Sequence, residues 1–335
     1  MKKLNGVVGA ACGLMWAAPA FSGNLDLYGT LDLAVTHMRT AGQTQTGLGH
    51  SGSEFSRLGL RGREGLGSGF ATGFTLEAGL IPNQGKTVNT DGIFSLATLS
   101  LFSPYGELRI GRDDSVTFLN SLLFDPFAAN GVGTTNSYAM LDNLISVNNA
   151  VSYVLPPDLG GFYGQFQHAS GPTHRPGTGN YRGVLLGYAQ GALDVAVASA
   201  VQQDKVQPDL VLHNLALSYN FGSIKPSLIL AQEKRGSERA SAYLLGVSTV
   251  MGPHLIRASV GKYESDRGGR PNDWLKFSVG YAYNLSKSTQ VYASYAYMHN
   301  QSDSAQFIRL RDMDGPTGSA GRSSQGYQFG IRKFF

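Results

Sequence analysis

The chain holds one cysteine in 335 residues, Cys12, and it lies inside an apolar leader, so none is expected in the mature protein. A disulfide framework and a thiolate metal site are thereby excluded. Lipoprotein attachment at Cys12 is disfavoured, because Gly9-Ala10-Ala11 lacks the expected Leu and the apolar stretch would be cut short. Secreted chains of this length have room for disulfides, so their absence fits a polypeptide kept unfolded across an oxidising compartment. Long hydrophobic runs are missing too: nothing after the leader approaches the ~18 apolar residues of a membrane helix. Charge of neither sign is gathered into blocks, and the formal +4 falls to about +2 once Lys2 and Lys3 are removed. Nucleic-acid binding therefore has no support.

The leader itself is well formed. Lys2 and Lys3 precede an apolar stretch over 7–18, which runs into the small-x-small pattern Ala18-Pro19-Ala20. Residues 1–20 are expected to be a secretory signal, leaving Phe21 first in the mature chain. A single membrane anchor would need a longer stretch, unbroken by Gly13 and Pro19.

What the mature chain has in quantity is two-residue alternation. The segment 25–33 puts leucines on one face and Asp26, Tyr28, Thr30 and Asp32 on the other. Similar segments follow at 57–63, 70–80, 93–102 and 108–112, then from 150 to 298 in close succession, and finally at 327–335; the count is about sixteen. This is the periodicity of half-buried strands. Seven connections are tight and rich in Gly, Pro, Asn or Ser, at 65–69, 103–106, 156–161, 190–192, 220–223, 251–253 and 286–288. The others are long and polar, for example 40–53, 171–180, 202–212, 264–273 and 301–324. Short turns on one side and long loops on the other suit a transmembrane β-barrel, and a soluble β-sandwich would show no such rhythm.

The ending supports closure. Tyr327, Phe329, Ile331 and Phe335 share one face with Lys333, while Gln328, Gly330 and Arg332 share the other. Termini usually fray, so a patterned strand ending on an aromatic points to a sheet that needs its last residue. An open edge in lipid would leave backbone groups unpaired. The row Phe277, Val279, Tyr281, Tyr283 and Leu285 is expected to face lipid, with tyrosines near strand ends forming aromatic girdles.

One connection breaks the rhythm. The segment 113–149 has no clear alternating strand, yet Leu119, Leu122, Leu123, Phe124 and Phe127 need burial. A loop this long is usually functional or disordered. The barrel lumen is the available place for its apolar residues, and folding inward would narrow the channel.

Several stretches carry a specific resemblance. Ser56-Arg57-Leu58-Gly59-Leu60-Arg61-Gly62-Arg63-Glu64-Gly65 is followed by Phe74-Thr75-Leu76-Glu77, and Tyr28-Gly29-Thr30-Leu31-Asp32 precedes both. Tyr105-Gly106-Glu107-Leu108-Arg109-Ile110-Gly111-Arg112-Asp113 and Asn148-Asn149-Ala150-Val151-Ser152-Tyr153 continue the series to the closing strand. In this order they resemble the general porins of Burkholderia-, Bordetella- and Neisseria-type bacteria over essentially the whole mature chain. The resemblance implies an all-β fold over 21–335: a 16-stranded antiparallel barrel in the outer membrane, a homotrimer, with the third extracellular loop folded into the lumen.

In such porins an acidic inward loop faces a ladder of wall arginines. Carried over by position, the wall candidates are Arg57, Arg61, Arg109 and Arg112; simple alternation points Arg112 outward, although the family often has a pore-facing arginine there. The loop candidates are Asp113, Asp114, Asp125 and Asp142. Each of these charges could instead be tied up in a local ion pair. Relatives often carry Arg near the positions of Ser95 and Ser146, so the ladder here is thinner. A unit charge at ~4 Å is worth on the order of 1 to 4 kcal/mol between water-like and surface dielectrics. Weak selectivity of either sign is therefore expected.

The function expected is passive diffusion of ions and small hydrophilic solutes, with no cofactor, metal or catalysis. A substrate-preferring channel of the same fold is the alternative. A barrel hydrolase would need an activated nucleophile, but His37, His168, His174, His213, His254 and His299 are scattered, no Gly-x-Ser-x-Gly elbow occurs, and Gly67-Ser68-Gly69 fits a turn. Adhesion or phage binding could ride on the outer loops, though no partner is identifiable.

Overall fold

The last residue closes the molecule. The computed structural model describes residues 24–335 apart from 90, 91, 268, 269, 302, 311, 312 and 314; the expected signal at 1–20 and Cys12 lie outside the described residues. Phe335 exchanges two backbone hydrogen bonds with Gly29, of 2.9 and 3.1 Å. Its ring covers that glycine so closely that a Cβ there would sit 2.4 Å from Phe335 Cζ.

From the N-terminus, β1 (Asn24–Thr40) pairs with an interrupted β2 (Gln43–His50 and Arg57–Gly67). β3 (Phe70–Ile81), β4 (Leu96–Ser103) and β5 (Gly106–Asp114) follow, then a helix, α1 (Val116–Phe124). β6 (Ser146–Val154), β7 (Phe162–Ala169), β8 (Thr178–Gln190) and β9 (Leu193–Asp204) come next. β10 (Leu210–Tyr219), β11 (Ile224–Arg235), β12 (Glu238–Met251) and β13 (His254–Arg267) continue the wall. β14 (Trp274–Asn284), β15 (Thr289–Asn300) and β16 (Ser324–Phe334) complete it. Lys86–Thr87 and Arg270–Pro271 are small additions in outer loops, leaving sixteen staves, all antiparallel, with β16 bonded back to β1 over Thr30↔Phe334 to Thr40↔Ser324.

The expected lipid-facing row is in place: Phe277, Val279, Tyr281 and Leu285 are exposed on the outer wall. The tight connections fall where the sequence puts them. The long ones do not all. Residues 40–53, expected as an outer loop, form a tight turn at 41–42 and then the strand Gln43–His50, paired with the top of β1. Another tight outer turn joins β11 to β12 at 236–237. Near the outer end both faces of a strand are wet, so Gln43-Thr44-Gln45-Thr46 carries no apolar alternation to betray it.

The rhythm-breaking segment enters the barrel, but it is not without structure. Ser115 caps α1 by accepting from Phe118 N at 3.3 Å, which gives one of the orphan N–H groups of the first turn an acceptor. Phe124 and Met140 share one apolar cluster with small or slim wall residues, among them Ala216, Ile229, Ala242 and Leu244, while Val132 lies against Gly326 of β16. Val116 and Leu144 pack against Ala198, Ala200 and Leu212. Gly246 lets Pro126 approach, since a Cβ there would lie 2.4 Å from Pro126 Cγ. Burying each large apolar side chain is worth about 1.5–3 kcal/mol, so the loop is held rather than merely enclosed. Leu123, by contrast, is exposed to the lumen.

Deleting Phe335 removes two seam hydrogen bonds, worth roughly 0.5–1.5 kcal/mol each, and uncovers Gly29. The deleted protein is expected to unfold at lower urea concentration in detergent micelles, while Phe335→Leu, which keeps the backbone pair, loses less. An unchanged midpoint for the deletion would show that the seam does not depend on the last residue.

Candidate pore constriction

Two sets of contacts place the inward loop. On one side α1 lies along β8 to β11. Asn120 Nδ2 donates to Asn214 Oδ1 at 2.8 Å, and Asn214 Nδ2 donates to Thr117 O at 2.8 Å. On the other side the loop crosses to the last staves. Val132 N donates to Gln328 Oε1 at 2.8 Å, Lys276 Nζ to Thr134 O at 2.5 Å, and the Tyr263 hydroxyl to Thr135 O. Lys276 is buried, its ammonium held by loop oxygens, Thr134 O and, at 3.4 Å, Asn136 Oδ1.

The descending end is latched by carboxylates. Glu233, buried on β11, accepts from the backbone N–H groups of Met140 (3.2 Å), Leu141 (2.6 Å) and Asp142 (3.4 Å). Asp142 in turn meets Arg235 at 2.5 Å, Arg175 at 3.5 Å and His174 at 3.6 Å. Burial works against its charge, but the contacts from His174 and Arg235 outweigh it and hold the carboxyl below the usual range. Ser115 Oγ donates to Leu144 O at 2.6 Å and closes the base of the loop.

With the loop drawn to the far wall, space remains beside β2 to β6. This cavity, about 450 Å³, is lined on the wall by Arg57, Glu77, Ser95, Arg112, Asp114 and Ser146. Glu54 and His174 reach it from outer segments, and Phe118, Leu122, Asn130 and Asn143 line it from the loop. It is bordered by charge on one side and by a mixed apolar and amide surface on the other.

Arg57 points inward, as alternation implies, but is not free: Glu54 lies 3.5 Å from Nη1 and Glu77 lies 3.7 Å from Nε. Tyr28 donates to the same Glu77 at 2.7 Å. Arg112 also reaches the cavity, against simple alternation. The pairing of β5 with β6 shifts between Gly111 and Asp113, a bulge that re-aims one side chain. Its Nε donates to Ser95 O at 3.1 Å and its Nη1 to Asn148 Oδ1. Arg61 and Arg109 face the lumen at another level, lining a different recess together with Asp26 and Glu107. There Arg61 pairs with Asp26 at 3.2 Å, and Arg109 with Glu107 at 2.8 Å and Asp113 at 3.2 Å.

Of the expected loop acids, Asp114 lines the cavity and the other three do not. Asp113 is buried at the wall under Arg109 and accepts from Ser152 and Gln165, both at 3.3 Å. Asp125 is buried inside its own loop, where it accepts from Phe127 N (2.9 Å), Ala129 N (3.1 Å) and Thr135 N (3.1 Å). It organises the loop instead of facing the aperture. Asp142 is spent on the latch. The cavity acids missing from the sequence reading are Glu54 and Glu77. Glu77 was accessible to alternation, since it shares the inward face of β3; Glu54 sits in the break of β2, where no periodicity points anywhere.

Comparison with known proteins agrees with this geometry. A family profile described as Gram-negative porin matches residues 7–303. Outer membrane porin protein 32 of Delftia acidovorans is 33% identical over 334 residues, covering 93% of this chain and 94% of that protein. An outer membrane porin protein of Bordetella pertussis is 28% identical over 302 residues, covering 73% and 77%. Among solved structures, the anion-selective porin from Comamonas acidovorans superposes with a TM-score of 0.84 at 32% identity, covering 93% of this chain and 100% of that one. OmpT of Vibrio cholerae shares the fold at TM-score 0.70 and 15% identity, over 93% and 99%. With its closed barrel, inward loop and family match along most of its length, the chain belongs to the Gram-negative porins, the channels of the outer membrane.

Proposed function

We propose that ions and small hydrophilic solutes pass through the cavity between the β2–β6 wall and the inward loop, and that its charges set a weak selectivity. The observation that carries this is the pairing of charges. Arg57 is flanked by two carboxylates, and Arg112 shares the cavity with Asp114. Basic and acidic groups are interleaved, with Ser95 and Ser146 contributing hydroxyls to the same lining. The Comamonas relative is described as anion-selective; an arginine flanked by two carboxylates, together with two serines, argues against carrying that preference over. Transport of this kind needs no catalysis, cofactor or metal, and the assembly is taken as a homotrimer on family grounds.

In planar bilayers under a salt gradient, the reversal potential is expected to give a cation-to-anion permeability ratio within about threefold of unity. Removing one charge alters local ion energies by on the order of 1 kcal/mol or more. Arg57→Ser should thus move the ratio several-fold towards cations, and Glu77→Gln should move it towards anions. A wild-type ratio strongly favouring anions would overturn the weak-selectivity reading.

The latch makes a second, pH-dependent prediction. A carboxyl whose folded pKa is depressed contributes stability above its unfolded pKa, about 3.9 for Asp, and loses it as pH falls through the folded value. The Asp142 contribution is therefore whole at neutral pH and declines below about pH 4. Single-channel traces are expected to show loop-derived closures increasing in that acid range, with Asp142→Asn noisy already at neutral pH and less sensitive to acid. Equal noise in both proteins at every pH would remove Asp142 from the latch.

A further inference from the structure

The lipid-facing wall carries a cluster of polar side chains where apolar ones are the rule. Inner-face residues of this sector are identified by their contacts with the loop. Val116 N donates to the Tyr181 hydroxyl at 3.3 Å, Gln167 Nε2 to Asp114 O at 3.1 Å, and Asn120 Nδ2 to Asn214 at 2.8 Å. Leu141 N donates to Glu233 at 2.6 Å. Their sequence neighbours Arg182, His168, His213 and Gln232 must then point outward, because strand side chains alternate.

These residues adjoin one another. Arg182 is directly opposite His168 across β8 and β7. Ser199, His213 and Gln232 stand in one row across β9, β10 and β11. All lie towards the outer ends of their strands: Ala169 ends β7, Thr178 begins β8 and Leu210 begins β10. Arg182, His168 and His213 are exposed, and among the described residues none of the three has a hydrogen-bond or ion-pair partner. An arginine on a lipid-facing wall is costly unless something neutralises it.

Two shallow apolar grooves adjoin the cluster. One, about 550 Å³, is lined by Leu108, Val151, Phe166 and Val184 together with Arg182 and His168. The other, about 440 Å³, is lined by Leu186, Val197, Leu215 and Leu230 together with His213. They share Val184 and Ser199 and so run into each other. A forked cation beside connected apolar grooves has the polarity of an amphiphile. Guanidinium matches phosphate oxygens bidentately, and imidazole N–H groups add donors.

We propose that this sector binds an anionic phosphorylated lipid of the outer leaflet, with its phosphate on Arg182 and His168 and its acyl chains in the two grooves. The site faces away from the channel, so its occupancy is separable from conduction. The test is native mass spectrometry of the purified protein released from neutral detergent micelles. Phosphatidylglycerol, phosphatidylcholine with the same acyl chains, and inorganic phosphate are supplied in separate arms. Phosphatidylglycerol adducts are expected at about tenfold lower lipid concentration than phosphatidylcholine adducts, a factor of ten in affinity, with none from inorganic phosphate. The Arg182→Gln/His168→Gln variant should lose that preference while keeping the single-channel conductance of the unsubstituted protein. Equal retention of the two lipids, or a preference undiminished in the variant, would overturn the proposal. So would retention of inorganic phosphate alone, or loss of a subunit from the variant's assembly, which would make the sector a contact between copies of the chain.

Discussion

A polypeptide in hydrocarbon has no water to satisfy its backbone, and each unpaired N–H or C=O costs several kcal/mol. A sheet escapes that cost only by closing, and here closure extends to the final peptide group, where Phe335 pairs with Gly29. Once the ring is closed, alternation does the rest. Every second side chain faces lipid and every other one faces an enclosed space too wide for wall side chains alone to fill.

That space explains the inward loop. Its apolar residues pack on the alanines and leucines of β9 to β12, yet packing alone would leave its orientation loose. Direction comes from a few buried polar contacts: Asn120 with Asn214, Val132 with Gln328, Thr134 with Lys276, and the backbone of 140–142 with Glu233. Burying charged groups such as Glu233 and Lys276 is expensive unless their hydrogen bonds are met, and the loop backbone meets them. The same contacts that pay that cost pull the loop to one wall and leave the aperture against the other.

The aperture therefore inherits the side chains of β2 to β6, and charges of both signs arrive there together. Tethering Arg57 between Glu54 and Glu77 fixes its position and also damps its field. On the outer wall Arg182 lies beside His168 among apolar side chains, those that line the adjoining groove.

Alternation, turn chemistry and the patterned C-terminus were legible in the sequence because lipid and lumen impose different solvents on successive residues. That made the strands, the closure and the inward orientation of Arg57, Arg61 and Arg109 readable, and the absence of such a pattern marked the inward segment. Where both faces meet water, as in Gln43–His50, the signal vanished and a strand passed for a loop. A bulge at Gly111 to Asp113 turned Arg112 into the cavity, and only the pairing of two strands could reveal it. Likewise Asp125 and Asp142 look alike in sequence as loop acids. Which carboxylate faces the channel and which is consumed by loop N–H groups or by Arg235 depends on contacts between residues far apart in the chain, and no local period encodes those.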